Sequence, residues 1–271
     1  MAGVTFREAA RKKMLWMALA AGGAFLILFA TGLHFQAKDF AAQGVNPVLR
    51  REFSFTMLTM GLYAVDLLAV LMTILTSVDT ISGEIASGTI QAIATKPIPR
   101  GQLLLGKWFG FIGMLTAYIA IMVGGANAIS YVIAGVTARH LLSGFLLIWM
   151  ESVVLLSVTF AFATYFSTMT TGVLVLGLHG LAFLGGWIEQ FGAITKTQRA
   201  VNVGVIASLA MPSESLWRRA AFEMQSPLGN AMQISPFTVL SVPSMAMVLY
   251  AALYLAIAVM VAIRRFSQRD L

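Results

Sequence analysis

The chain has no cysteine, so it makes no disulfide, offers no thiolate metal site and says nothing of its redox compartment. Histidine is almost as scarce, with three in 271 residues. They are scattered and have no acidic cluster beside them, so a catalytic metal site is not expected. Charge is scarcer still for a chain this long: charged residues make up 11% and apolar ones 59%. Too little polar surface remains to coat a soluble core of ordinary size, and the composition is that of a polytopic, all-α membrane protein. The formal net charge of +7 would point a soluble domain toward nucleic acid. Here the basic residues cluster at the ends of apolar runs, where anionic headgroups and the positive-inside bias account for them, so no nucleic-acid partner is expected.

What the sequence does have is long apolar runs. The N terminus is basic and then apolar, like a signal peptide, but Met14 to Phe35 is longer than a cleavable core and reads as a retained first span. Before it, residues 4–13 carry Phe6, Ala9 and Ala10 on one side and Arg7, Glu8, Arg11 and Lys12 on the other. That pattern fits a cytoplasmic interfacial helix or a basic flank that sets topology. Further spans are expected at about 53–78, 107–134, 141–166, 172–188 and 239–263, giving six in one transmembrane domain over 1–271. The polar stretch 36–52, with Asn46-Pro47, reads as a connection. Ten of the 18 basic residues fall on the side that carries both termini and residues 79–107, and four of the other eight lie in one long connection where the bias is weak. Both termini and the 79–107 stretch are therefore expected in the cytoplasm.

The connection at 189–238 is expected outside. Ala200 to Met211 is apolar but too short to cross, and reads as re-entrant or interfacial. After Pro212, Ser213 reads as an N-cap with Glu214 in the first turn. Leu216, Trp217, Ala220, Ala221 and Met224 then form an apolar face opposite Arg218 and Arg219, and Pro227 ends the helix.

Residues 79–107, DTISGEIASGTIQAIATKPIPRGQLLLGK, mix charge, glycine and proline between two spans. Gly101, Gly106 and Lys107 match G-x-x-x-x-G-K, but the filler is Gln-Leu-Leu-Leu and Trp108 follows where a phosphate loop needs Ser or Thr. Gly106, Gly110 and Gly113 read better as a surface that lets another helix come close. Ile81 to Thr95 reads as a short helix with Ile81, Ile85, Thr89 and Ile93 on one stripe and Glu84 and Gln91 away from it, ended by Pro97 and Pro99. Lys96, Arg100 and Lys107 would sit within reach of headgroups and of a soluble partner. Such a loop, tied to two spans, suits docking on a protein and passing its motion to the membrane.

Ser82, Glu84, Gly88, Thr89 and Ile90, then Lys96, Pro97, Ile98 and Arg100, then Leu104 or Leu105, Gly106 and Lys107 resemble the signature of type-2 ABC transporter permeases. The chain is similar to the group that includes the copper-maturation permease of nitrous oxide reductase. The resemblance implies a cytoplasmic coupling helix between spans 2 and 3, with Ile81, Ser82, Gly83, Glu84, Ile85, Ser87, Gly88, Thr89, Lys96, Pro97, Arg100 and Lys107 meeting a separate ATPase. It implies a connecting helix at the N terminus, two ATPase copies and a second permease copy, as a homodimer, in a bacterial or archaeal inner membrane. The chain itself is then not an enzyme and binds no cofactor or metal; ATP and magnesium belong to the ATPase.

Asp66, Asn127, Glu151 and His179 fall inside expected spans, where an ionised group costs about 3 kcal/mol or more unless paired or wetted. They line a pathway or a proton-sensitive pocket, or they pair with one another and lock the bundle. Three functions follow: the membrane subunit of an ATP-driven exporter or lipid-handling machine; an ABC-type mechanotransmitter working on an extracytoplasmic partner through the 190–238 connection; or an ATP-independent secondary transporter with Asp66, Glu151 and His179 as a proton relay.

Overall fold

A computed structural model of the protein describes residues 13–86, 100–226, 228 and 238–268, with the backbone alone described at 13, 14, 81, 82, 84–86 and 100. These residues form α-helices: α1 (Lys13–Ala42), α2 (Pro47–Ala86), α3 (Arg100–Ala134), α4 (Leu141–Ala163), α5 (Thr168–Ile194), α6 (Gln198–Ala210), α7 (Ser213–Met224) and α8 (Met245–Gln268). No strand occurs among the described residues. Six helices, all but α6 and α7, are long and apolar enough to cross a bilayer. The expected interfacial helix at 4–13 lies almost wholly outside the described residues.

The spans are longer than their apolar runs. Residues 36–52 do not form a loop: α1 continues through Ala42, and only a tight turn separates it from α2. Gly44, at φ 62°, ends α1 with the amides of Gly44 and Val45 donating to the carbonyls of Ala41 and Phe40. Asn46 then accepts from the amide of Val48 at 2.9 Å, with Pro47 opening α2. The Asn46-Pro47 pair is therefore a helix start. Likewise Ile81 does not open a separate helix, because 81–86 are the last turns of α2; residues 87–99 lie outside the described region.

α4 is the central helix, buried along most of its length and packed by α2, α3, α5, α7 and α8. α1 lies at the edge, against α2 and α3. In lipid the hydrophobic effect does not pull helices together, so packing and hydrogen bonds between side chains must. Trp108 Nε1 donates to Ser157 Oγ at 3.0 Å and Trp149 Nε1 to Thr116 Oγ1 at 2.8 Å, which fixes α3 against α4 at two levels. Phe111 and Phe160 meet edge to face between them. Along α2 the hydroxyls of Thr73, Thr76 and Ser77 turn back to carbonyls four residues earlier, so the buried face keeps no free donor there.

α5 and α6 pack closely against each other. A Cβ on Gly204 would sit 2.6 Å from the Gly185 carbonyl, and one on Gly192 would sit 2.8 Å from the Val201 amide, so only small residues allow this hairpin. On α3, Gly106 is half-buried and Gly110 buried, Gly113 faces open space, and a close approach to α1 is made at Gly125, against Leu26.

One end of the bundle brings together the start of α1, the end of α2, the start of α3 and the end of α8. Met17 and Ala18 stand beside Leu75 and Thr76, and a Cβ on Gly101 would lie 3.1 Å from Ile263. Thr168, opening α5, donates to Asp79 there, and Arg265 lies over the Tyr165 ring. We call this the motif end and the other the far end.

Candidate functional site

Two regions carry the residues singled out from sequence: the motif end and the interior of the far half. At the motif end, Ile81, Ser82, Gly83, Glu84 and Ile85 occupy the last turns of α2, and Arg100 opens α3. Ser87, Gly88, Thr89, Lys96 and Pro97 lie outside the described residues. Lys107 does not project toward headgroups. It is buried two turns inside α3, with its aliphatic stem packed in the bundle. α2, with 40 residues, is about 60 Å long and α3, with 35, about 50 Å, against about 30 Å of hydrocarbon. The two helices thus run well past bilayer thickness, and their charged turns, 79–86 and 100–107, lie at one end.

In the interior, Asp66 stands midway along α2 and is 7% exposed; Glu151 on α4 is fully buried. Their carboxyls come within hydrogen-bonding reach of each other. Among the described residues no donor reaches Asp66 Oδ1 or either oxygen of Glu151. A carboxylate only accepts, so a proton or a cation is needed to close this contact. Sequence reading left Asp66, Glu151 and His179 either lining a pathway or pairing with one another; the structure sets the two acids side by side and His179 Nδ1 3.0 Å from Ser213 Oγ. That contact also removes Ser213 from the capping role expected of it: Pro212 holds the cap position and no side chain caps α7.

Asn127 is not on this cluster. Its Nδ2 donates to the Val123 carbonyl at 2.9 Å and its Oδ1 accepts from the Ala138 amide at 2.8 Å, tying the 135–138 loop to α3. It is a structural clamp.

α7 completes the interior. Its apolar side, Leu216, Trp217, Ala220 and Ala221, is buried against the bundle, chiefly on α4, and does not lie free at the membrane surface. Arg218, expected opposite that face, is 1% exposed and donates to Glu189 Oε2 at 2.8 Å, while Arg219 pairs with Glu223 near the surface. Glu189 also accepts from Ser241 Oγ. Glu214, in the first turn of α7, is buried beside Asp66 and Arg218. Burial first, and the neighbouring Asp66 second, push its carboxyl well above the ordinary value; Arg218 opposes this and Glu189 adds to it. Asp66 is therefore a neighbour of both Glu151 and Glu214, and Arg218 of both Glu189 and Glu214.

Between α2, α5 and α7 is a cavity of about 220 Å³. Asp66, Glu214 and His179 supply its polar wall, and Tyr63, Phe183 and Trp217 its aromatic one. Sequence reading missed Glu189, Glu214, Trp217 and Arg218 as members of this interior. Arg218 and Glu189 are 29 positions apart, and nothing in the sequence says that they meet.

The family model described as ABC-2 family transporter protein matches residues 2–271. No curated protein matches the chain.

Proposed function

Because the chain belongs to the ABC-2 family of transporter proteins, we propose that it is the permease subunit through which a separate ATPase moves cargo across, or out of, the membrane. The match over nearly the whole length carries this reading, because the family supplies membrane subunits that are not themselves ATPases and that associate with one. The geometry of α2 and α3 supports it. Both helices run past bilayer thickness, and a segment held between their ends would be levered by whatever grips it.

The ATPase docks on the 79–107 stretch, with Glu84 and the residues after Ala86 at the contact, on the cytoplasmic side. Two ATPases serve two permease copies in an inner membrane. When the ATPases close on ATP and magnesium, the motif-end turns of α2 and α3 move and the interior between α2, α5 and α7 rearranges. Work on an extracytoplasmic partner through 190–238 finds less support, because α7, one of the two helices of that connection, is built into the bundle.

The test is co-purification of the full chain with its ATPase, and ATP-driven transport by the pair in liposomes. Glu84→Arg, and deletion of residues 85–89, should each abolish association while the permease still purifies as a folded protein. Undiminished coupling in both variants overturns the assignment.

A further inference from the structure

We propose that the cavity between α2, α5 and α7 is a binding site for an organic ammonium group, held by Asp66 and Glu214 within an aromatic wall of Tyr63, Trp217 and Phe183. Asp66 reaches the cavity with 7% of its surface exposed and an Oδ1 that meets no donor among the described residues. Glu151, directly behind it, has two oxygens in the same state. Among the described residues Arg218 stands beside Glu214; its Nη2 is given to Glu189 and Ser208, while its Nε and Nη1 meet no acceptor. Asp66 therefore brings to the cavity an acceptor that Arg218 does not reach, and a cation can meet it there.

The lining selects which cation. A metal ion would ask for several oxygens at close range, and the described residues hold no group of three or more metal-binding side chains suited to it. Here two carboxyls stand among aromatic faces. Trp217 and Tyr63 are packed edge to face with centroids 4.5 Å apart. Aromatic faces plus a carboxylate, away from water, are the chemistry that holds substituted ammonium groups. The size agrees, since about 220 Å³ exceeds the roughly 150 Å³ that takes a benzene ring. Leu67 and Phe183 stand at the rim and are 55% and 40% exposed, so the cavity opens sideways through an apolar mouth at mid-helix depth. An amine with an apolar body would place its ammonium inside and its body along that mouth. The ammonium comes from a free amine or from a lipid headgroup.

This deepens the permease reading only in making the ligand cargo; binding itself needs no ATPase. The experiment measures binding of radiolabelled benzyltrimethylammonium to the full-length chain in phosphatidylglycerol nanodiscs, with neopentylbenzene, its uncharged carbon isostere, as competitor. Saturable binding at one site per chain is expected. It should weaken about tenfold or more in Asp66→Asn and in Glu214→Gln, and neopentylbenzene should compete poorly. Ala64→Phe, which fills the cavity and leaves every charge in place, should abolish it. Thermal unfolding of each variant confirms the fold. Discs containing phosphatidylcholine assign the source: competition marks a headgroup, and its absence a free amine. No saturable binding, equal competition by neopentylbenzene, or unchanged binding in both acid variants and Ala64→Phe overturns the proposal. Loss of ATPase coupling with binding retained would instead count against the permease reading alone.

Discussion

Arg218 and Glu189 meet at 2.8 Å in the interior, side chains 2% and 6% exposed, and join a short helix of the long connection to the fifth span. A buried pair adds little over an apolar pair of the same shape, but breaking it from one side leaves an uncompensated charge.

Arg218→Met or Glu189→Gln alone should therefore cost about 3–5 kcal/mol, read as a large drop in unfolding temperature or loss of the monodisperse peak in detergent. The double variant should recover much of the loss. A double variant as unstable as the sum of the two would show that the pair does not act as a unit.

Glu214 makes stability depend on pH. Its ordinary value is 4.5 and its folded value lies well above, so the folded state holds the proton more tightly than the unfolded state. The associated stability is complete below about pH 4.5 and is lost as pH rises through the raised value. Asp66, Glu189 and Arg218 face the group, with His179 on the same cavity. Unfolding temperature against pH should fall with rising pH in the native chain and fall less steeply in Glu214→Gln. Equal slopes would contradict this.

The α5–α6 hairpin should be intolerant of a single methyl group. Gly204→Ala places a Cβ against the Gly185 carbonyl at 2.6 Å, and overpacking of this kind costs about 1–3 kcal/mol. Gly113→Ala, in open space on α3, should be neutral or stabilising by up to about 1 kcal/mol through helix propensity. Comparing the two in the same thermal assay checks it, and equal losses would count against the packing described.

Asn127 should matter for stability and leave ligand selectivity unchanged. Asn127→Leu removes the acceptor for the buried Ala138 amide, at about 1–3 kcal/mol. A variant with native unfolding temperature and altered transport would return Asn127 to the pathway.

Much of the architecture was legible because lipid enforces it. A run of about 20 apolar residues has few other fates, so six spans could be read from composition and length. The boundaries were harder. Asn46-Pro47 has the same letters in a turn and at a helix start, and only the backbone of Gly44 and the Asn46–Val48 bond distinguish them. The apolar face of the α7 segment was also readable from its spacing. Its burial was not, because periodicity tells which side of a helix is apolar and not what lies against it.

The sequence by itself determined that this is a membrane protein of six crossings and that the stretch between the second and third is the odd one, because hydropathy and motif spacing are local properties of the chain. Only the tertiary structure decided that Asp66 stands beside Glu151 and Glu214, that His179 turns to Ser213, and that Arg218 goes inward to Glu189. These residues are separated by tens of positions and lie on different helices. Their meeting depends on how close each helix pair can approach, and no local pattern encodes that distance.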